Sequence, residues 1–168
     1  SVLTSMFYGS LSGSAPATVA AVGGIMIPAM EKEKYSKSFS TAVNTAAGCL
    51  GVIIPPSVPL IIYGTTAGVS VGDLFIAGII PGLFIGLCLM ICSYILAKKY
   101  GFIGTGKRAP VKEIVISLRD ALPALMVPII VLGGIYGGLT TPTEAGVIAV
   151  VYSLIMEGVI LRTLSVQK

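Results

Sequence analysis

Charged residues crowd into two bands of this chain, 31–37 (EKEKYSK) and 98–120, and the stretches between and around the bands are apolar. An apolar run over 39–68 is followed by a neutral turn, then by 73–97, about 25 residues that are long enough for one tilted membrane crossing. Beyond the second band, 122–138 and 141–161 form another outgoing and returning pair. The pattern predicts an all-α polytopic membrane protein. Within 98–120, Val111, Ile114, Val115 and Leu118 share one helical face and Lys112, Glu113 and Arg119 lie away from it. That spacing predicts a short helix lying at the interface after a loop.

Two segments depart from plain crossings. Residues 1–30 are apolar overall but carry a polar patch, SLSGSAP at 10–16, with too few residues on either side for a full span at about 1.5 Å each. A re-entrant hairpin with its tip at 10–16 is expected. The run 39–68 contains Pro55, Pro56 and Pro59, which predicts a discontinuous transmembrane helix broken at 55–59.

Composition agrees on the solvent: 55% hydrophobic and 11% charged residues, with a mean hydropathy of +0.97, exclude an ordinary soluble domain. The positive-inside rule places the basic loops 31–38 and 98–120 in the cytoplasm, and the spans as drawn return to that side each time. Glycine repeats at Gly78/Gly82/Gly86, Gly133/Gly137 and Gly134/Gly138 predict close helix contacts. The opening residues from Ser1 do not read as a secretory signal peptide.

Several chemistries drop out. With no histidine, His-based triads and the usual zinc sites have no base or ligand. Cys49, Cys88 and Cys92 form no CxxC pair and read as packing residues without a structural disulfide. GFIGTGKR, from Gly101 to Arg108, matches a phosphate-binding loop except that Arg108 replaces the Ser/Thr, and an apolar span rather than a strand precedes it. LTTPTEAG, from Leu139 to Gly146, looks catalytic but reads as a capping box: Thr141 at N-cap, Pro142 at N1, Glu144 at N3. Asp73, Glu144 and Glu157 are scattered among helix ends and give no acid/base pair, so an enzyme is not expected. No organic cofactor and no nucleic-acid partner are expected either.

The break carries more chemistry. In a helix, Pro55 and Pro56 would free the carbonyls of Gly51 and Val52, and Pro59 that of Pro55. At membrane depth such oxygens need water, a side chain or a cation. Neighbouring Ser or Thr hydroxyls would satisfy a simple kink, whereas broken helices of secondary transporters use freed carbonyls for sodium and the following half-helix N-terminus for an anion. At the hairpin tip, Ser12 and Ser14 supply hydroxyl oxygens, Gly13 permits left-handed backbone, and Ser14 can cap the helix that Pro16 starts. An oxygen-only set suits a hard alkali cation. Thr41, Asn44 and Thr45 precede the break and read first as interhelical hydrogen bonders.

Taken in order, GSLSGSAPATVAAVGGIMIPAM, YSKSFSTAVNTAAGCLGVIIPPSVPLIIYG, LFIAGIIPG and GGLTTPTEAG resemble the large membrane subunit of the tripartite ATP-independent periplasmic (TRAP) transporters over nearly the whole chain. The resemblance implies sodium-coupled import of an organic anion across the inner membrane by an elevator-type motion, with sialic acid the first expectation and a C4-dicarboxylate the second. It implies a periplasmic substrate-binding protein and a small four-helix membrane subunit as partners, besides membrane lipid and the remaining parts of the large subunit. Sodium, the coupling ion, would lie where hairpin tip meets broken helix. On this chain those positions are Ser10, Ser12, Gly13, Ser14, Gly51, Val52, Pro55, Pro56 and Ser57, with Ser12, Ser14, Ser57 and Asn44 as substrate-contact candidates. Family members contain two inverted repeats, so these residues are expected to supply about one repeat, with scaffold helices before Ser1 and a second hairpin after Lys168. A binding-protein-independent sodium/carboxylate symporter and a non-transporting membrane scaffold subunit are the alternatives.

Overall fold

A computed structural model describes residues 1–102, 110–156 and 158. The GxxxxGK-like stretch past Phe102 and Glu157 lie outside the described residues. All regular structure among the described residues is helical, and the chain divides into two compact units, Ser1–Lys107 and Arg108–Lys168.

In the first unit, α1 (Val2–Ser12) and α2 (Ala15–Lys32) form a helical hairpin. The turn is set by Gly13, which takes a left-handed conformation (φ 61°, ψ 14°) and donates its N–H to the Gly9 carbonyl. At about 1.5 Å per residue, α1 is roughly 16 Å long, half a bilayer core. After a turn through Lys34, α3 (Lys37–Gly48) starts at Ser36, whose Oγ accepts from Phe39 N at 3.3 Å. The helix then tightens into a 3₁₀ segment, Cys49–Val52, loses regular structure through Pro55 and Pro56, and resumes as α4 (Val58–Ala67).

The break therefore lies earlier than 55–59. It opens where α3 ends at Gly48 and closes at Ser57, the N-cap of α4. Pro59 falls in the first turn of α4, where a missing N–H has no intrahelical partner to lose, so it starts that helix instead of breaking one.

Small and polar residues fill the contacts of α1, α2 and α3. Ser5, Thr18, Ser40, Asn44 and Ser57 are all buried, beside an apolar cluster of Val2, Ala47 and Leu50. A Cβ on Gly48 would run into the Val19 side chain, so α2 and α3 touch nearly backbone to backbone.

α5 (Val71–Lys99) starts at Ser70, whose Oγ accepts from Asp73 N at 3.2 Å, and its 29 residues are long and apolar enough to cross a bilayer. Its glycines press on the break: a Cβ on Gly78 would lie 2.7 Å from the Ile53 carbonyl oxygen, one on Gly82 2.7 Å from Ile54 Cγ1, and one on Gly86 2.6 Å from Met6 Sδ of α1. The opposite side of α5 exposes Ile76, Ile80, Leu83, Phe84, Leu87 and Ile91, an apolar face fit for lipid or further protein.

In the second unit, α6 (Val111–Tyr136) bends by 52° between Lys112–Arg119 and Ala121–Tyr136. Pro123 gives the cause, since it cannot donate to the Arg119 carbonyl and crowds it. α7 (Pro142–Ile155) returns alongside, and Tyr152 donates its hydroxyl to the Pro123 carbonyl at 3.0 Å. Here the glycine repeats do not serve close helix contact. Gly133 has nothing within 4 Å of a built Cβ, Gly138 is left-handed at the helix end (φ 66°), and Gly134 makes room for Thr140 Oγ1, 2.6 Å from its built Cβ.

Candidate functional site at the hairpin tip and helix break

The hairpin tip and the break meet through backbone. Val58 N, the first helical residue of α4, donates to the Gly13 carbonyl at 3.2 Å. One turn back, Gly9 and Gly51 cross so closely that a Cβ on Gly9 would lie 2.7 Å from Gly51 Cα. A Cβ on Gly51 would lie 2.6 Å from Thr18 Oγ1 and 3.0 Å from the Ser14 carbonyl oxygen. Side chains at either position would push tip and break apart.

Around this crossing lies a knot of oxygens. Ser12 Oγ accepts from Ser14 N at 3.3 Å, pairs with Thr18 Oγ1 at 3.0 Å and lies 3.2 Å from the Ser14 carbonyl. Thr18 Oγ1 donates to that same carbonyl at 2.8 Å. Across the crossing, Ser57 Oγ donates to the Val52 carbonyl at 2.7 Å and receives Leu60 N at 3.5 Å. The Val52 oxygen freed by Pro56 is thus met by a neighbouring serine, with one lone pair to spare. Ser14 stands at the N-cap of α2 but its hydroxyl makes no cap bond, contrary to expectation; the two-residue step back to Ser12 Oγ takes the Ser14 N–H instead.

A cleft of about 270 Å³ opens beside the knot, lined by Gly13, Ser14, Ala15, Pro16, Val52, Val58 and Pro59. The first residues of α2 and of α4 both line it, so two helix N-termini, each a partial positive charge, converge on one opening. Pro55 and Ser57 are buried and Pro56 partly so; a built Cβ on Gly13 lies 3.0 Å from the Pro56 carbonyl oxygen. The arrangement offers carbonyl and hydroxyl oxygens on one side and helix N-termini on the other. Such a set can serve a hard cation and an anion together, and no group of His, Cys, Asp and Glu for a transition metal exists among the described residues.

Other expected residues stand elsewhere. Ser10 turns back on its own helix, donating to the Phe7 carbonyl at 2.7 Å. Asn44 is buried on α3, about 7 Å along the axis before the 3₁₀ segment. Its Nδ2 donates to the Ser40 carbonyl at 2.8 Å and to Met30 Sδ of α2 at 3.5 Å, while Oδ1 is buried without a partner. Thr41 and Thr45 are exposed. Cys49, Cys88 and Cys92 are free and exposed, not packed as expected, because all three fall on outward faces of α5 or of the break. Glu144 Oε2 accepts from Thr141 N at 2.7 Å and from Thr141 Oγ1 at 2.9 Å, and Glu144 N donates to Thr141 Oγ1 at 3.3 Å, the reciprocal capping box in full.

Thr18 and Gly9 are the junction residues that sequence reasoning missed. The signal for Thr18 was its place four residues after the N-cap Ser14, where a β-branched hydroxyl reaches the i−4 carbonyl. Gly9 stands four before Gly13, on the same face.

Comparison with known proteins gives the family. The family model described as "Tripartite ATP-independent periplasmic transporter, DctM component" matches residues 1–168. The chain is 51% identical over 162 residues to the isethionate TRAP transporter permease protein DctMQ of Oleidesulfovibrio alaskensis, covering 96% of this chain and 26% of that protein. It is 44% identical over 167 residues to the C4-dicarboxylate TRAP transporter large permease protein DctM of Vibrio cholerae, covering 96% and 36%. It is 39% identical over 166 residues to the sialic acid TRAP transporter large permease protein SiaM of the same organism, covering 99% and 39%. The chain thus spans between a quarter and two fifths of the length of these relatives. It belongs to the large permease component of the TRAP transporters.

Proposed function

We propose that this chain supplies the ion-coupling half-site of a sodium-driven importer of small organic anions in the inner membrane, working with a periplasmic binding protein and a small membrane subunit. The observation that supports the reading is the junction itself: a left-handed Gly13 at a hairpin tip, bonded to the first N–H of a resumed helix, with hydroxyl and carbonyl oxygens gathered at the crossing. In this reading Ser12, Gly13 and Ser14 from the tip and Gly51, Val52, Pro55, Pro56 and Ser57 from the break hold sodium, and Thr18 joins them. The substrate's acidic group lies against the N-termini of α2 and α4, within reach of Ser12, Ser14 and Ser57. Asn44, with its unpaired Oδ1, completes the polar lining one helical turn and more below. Elevator-type movement carries the junction across the membrane as one body.

The names of the relatives divide on substrate: isethionate, C4-dicarboxylate and sialic acid. That three such proteins match one segment supports assigning it to shared machinery. The test is uptake into proteoliposomes holding the full-length large subunit and its small subunit, with each of these three solutes, with and without a sodium gradient and a binding protein. Uptake that needs both sodium and binding protein is expected. Uptake needing sodium alone would mean a simpler symporter, and indifference to sodium would return the junction to a packing role.

A further inference from the structure

Far from the junction, the α2–α3 turn and the end of α5 meet through four aromatic rings. Tyr35 and Phe39 stack at 6.0 Å, each lies 5.3 Å from Phe102, and Tyr100 lies 6.0 Å from Phe102. Ser36, Ser38, Phe39, Tyr100 and Phe102 line an open cleft there of about 310 Å³. Exposed lysines border both sides in sequence, Lys34 and Lys37 on the turn and Lys98 and Lys99 at the helix end. Over 31–37 and 98–99 together, five lysines stand against two glutamates. α5 has the length and apolarity of a full crossing, and a helix crossing over that length would bring its Lys98–Lys99 end to headgroup depth.

We propose that this cleft binds the headgroup of an anionic phospholipid. The lysines supply the charge partners for the phosphate, and the rings give the glycerol and upper acyl chain an apolar wall at the depth where aromatic and basic side chains gather. A soluble anion would use the lysines but gain nothing from four rings. A lipid uses both, and a lipid held there also ties the returning arm of the hairpin to the end of α5.

The test uses the full-length large subunit in detergent, with native mass spectrometry counting retained phosphatidylglycerol against phosphatidylcholine. Preferential retention of phosphatidylglycerol is expected. In a Lys37→Gln, Lys98→Gln, Lys99→Gln variant it should fall by about fivefold per lysine removed. Ser38→Trp, which fills the cleft and leaves every lysine in place, should lose the preference as well. Equal retention of the two lipids by the unaltered protein, or a preference that survives either cleft variant, would overturn the proposal. So would displacement of the lipid by millimolar inorganic phosphate, which would make the site one for a soluble anion.

Discussion

An alanine at Gly51 would place its Cβ 2.6 Å from Thr18 Oγ1 and 3.0 Å from the Ser14 carbonyl oxygen, and none of those atoms is the loose end of a flexible side chain. Either the hairpin tip or the break must then retreat. Overpacking of this kind costs about 1–3 kcal/mol. Gly51→Ala is therefore expected to lower the thermal midpoint of the full-length protein and to abolish any rise in that midpoint on adding sodium. Gly24→Ala is the matched control, since nothing lies within 4 Å of a Cβ there and alanine favours a helix interior. Equal behaviour of the two variants would detach the Gly9–Gly51 crossing from ion binding. At this scale the sequence spoke unevenly. A glycine between serines announced the left-handed turn at Gly13, because few other residues take it. It said little about which hydroxyl meets which carbonyl: Ser10 and Ser12 are equivalent by type, yet one turns to Phe7 and the other to Thr18. That choice depends on helix phase at the tip, fixed by where α1 ends.

Among the helices, the start of α7 shows how completely local chemistry can account for a suggestive motif. Thr141 and Glu144 exchange three hydrogen bonds between each other's side chain and backbone. Thr141→Ala should cost about 1 kcal/mol of stability, read as a small drop in thermal midpoint, and, on the proposed function, leave any sodium dependence of uptake unchanged. A lost sodium response would show that the cap also serves transport. This box was legible because every donor and acceptor in it lies within four residues. The glycine repeat of α5 was legible for a related reason: a four-residue period marks one face, and Gly78, Gly82 and Gly86 do meet Ile53, Ile54 and Met6. The repeats at 133–138 have the same period but stand at a helix end, where turn geometry claims them, and period alone cannot tell the two uses apart. The position of the break is subject to a similar ambiguity. Three prolines mark an interruption, but Pro59 is tolerated in the first turn of the next helix, so the irregular stretch lies N-terminal to it.

On the scale of the molecule, the junction is one-sided. The cleft at Gly13 and Val58 is open, and its described lining contributes one serine, Ser14, and two helix N-termini but no charged side chain that would select one acidic solute over another. Much of the apolar surface of α5 is likewise uncovered, and the relatives are two and a half to four times longer than the matched segment. A transporter needs the site closed from each side in turn, which requires a second wall moving relative to the first. If the proposed function holds, residues 1–168 alone, reconstituted with a small subunit and binding protein, are expected to give no sodium-driven accumulation under conditions in which a large permease of the relatives' length gives it. Sodium binding is the more sensitive readout, because the oxygens gathered at the crossing come from α1, α2 and the break within one compact unit. A sodium-dependent shift in the melting of the segment, without uptake, would assign ion binding to this half and substrate selection to the rest. Uptake by the segment alone would show instead that one hairpin and one broken helix suffice, and the two-repeat reading would fall.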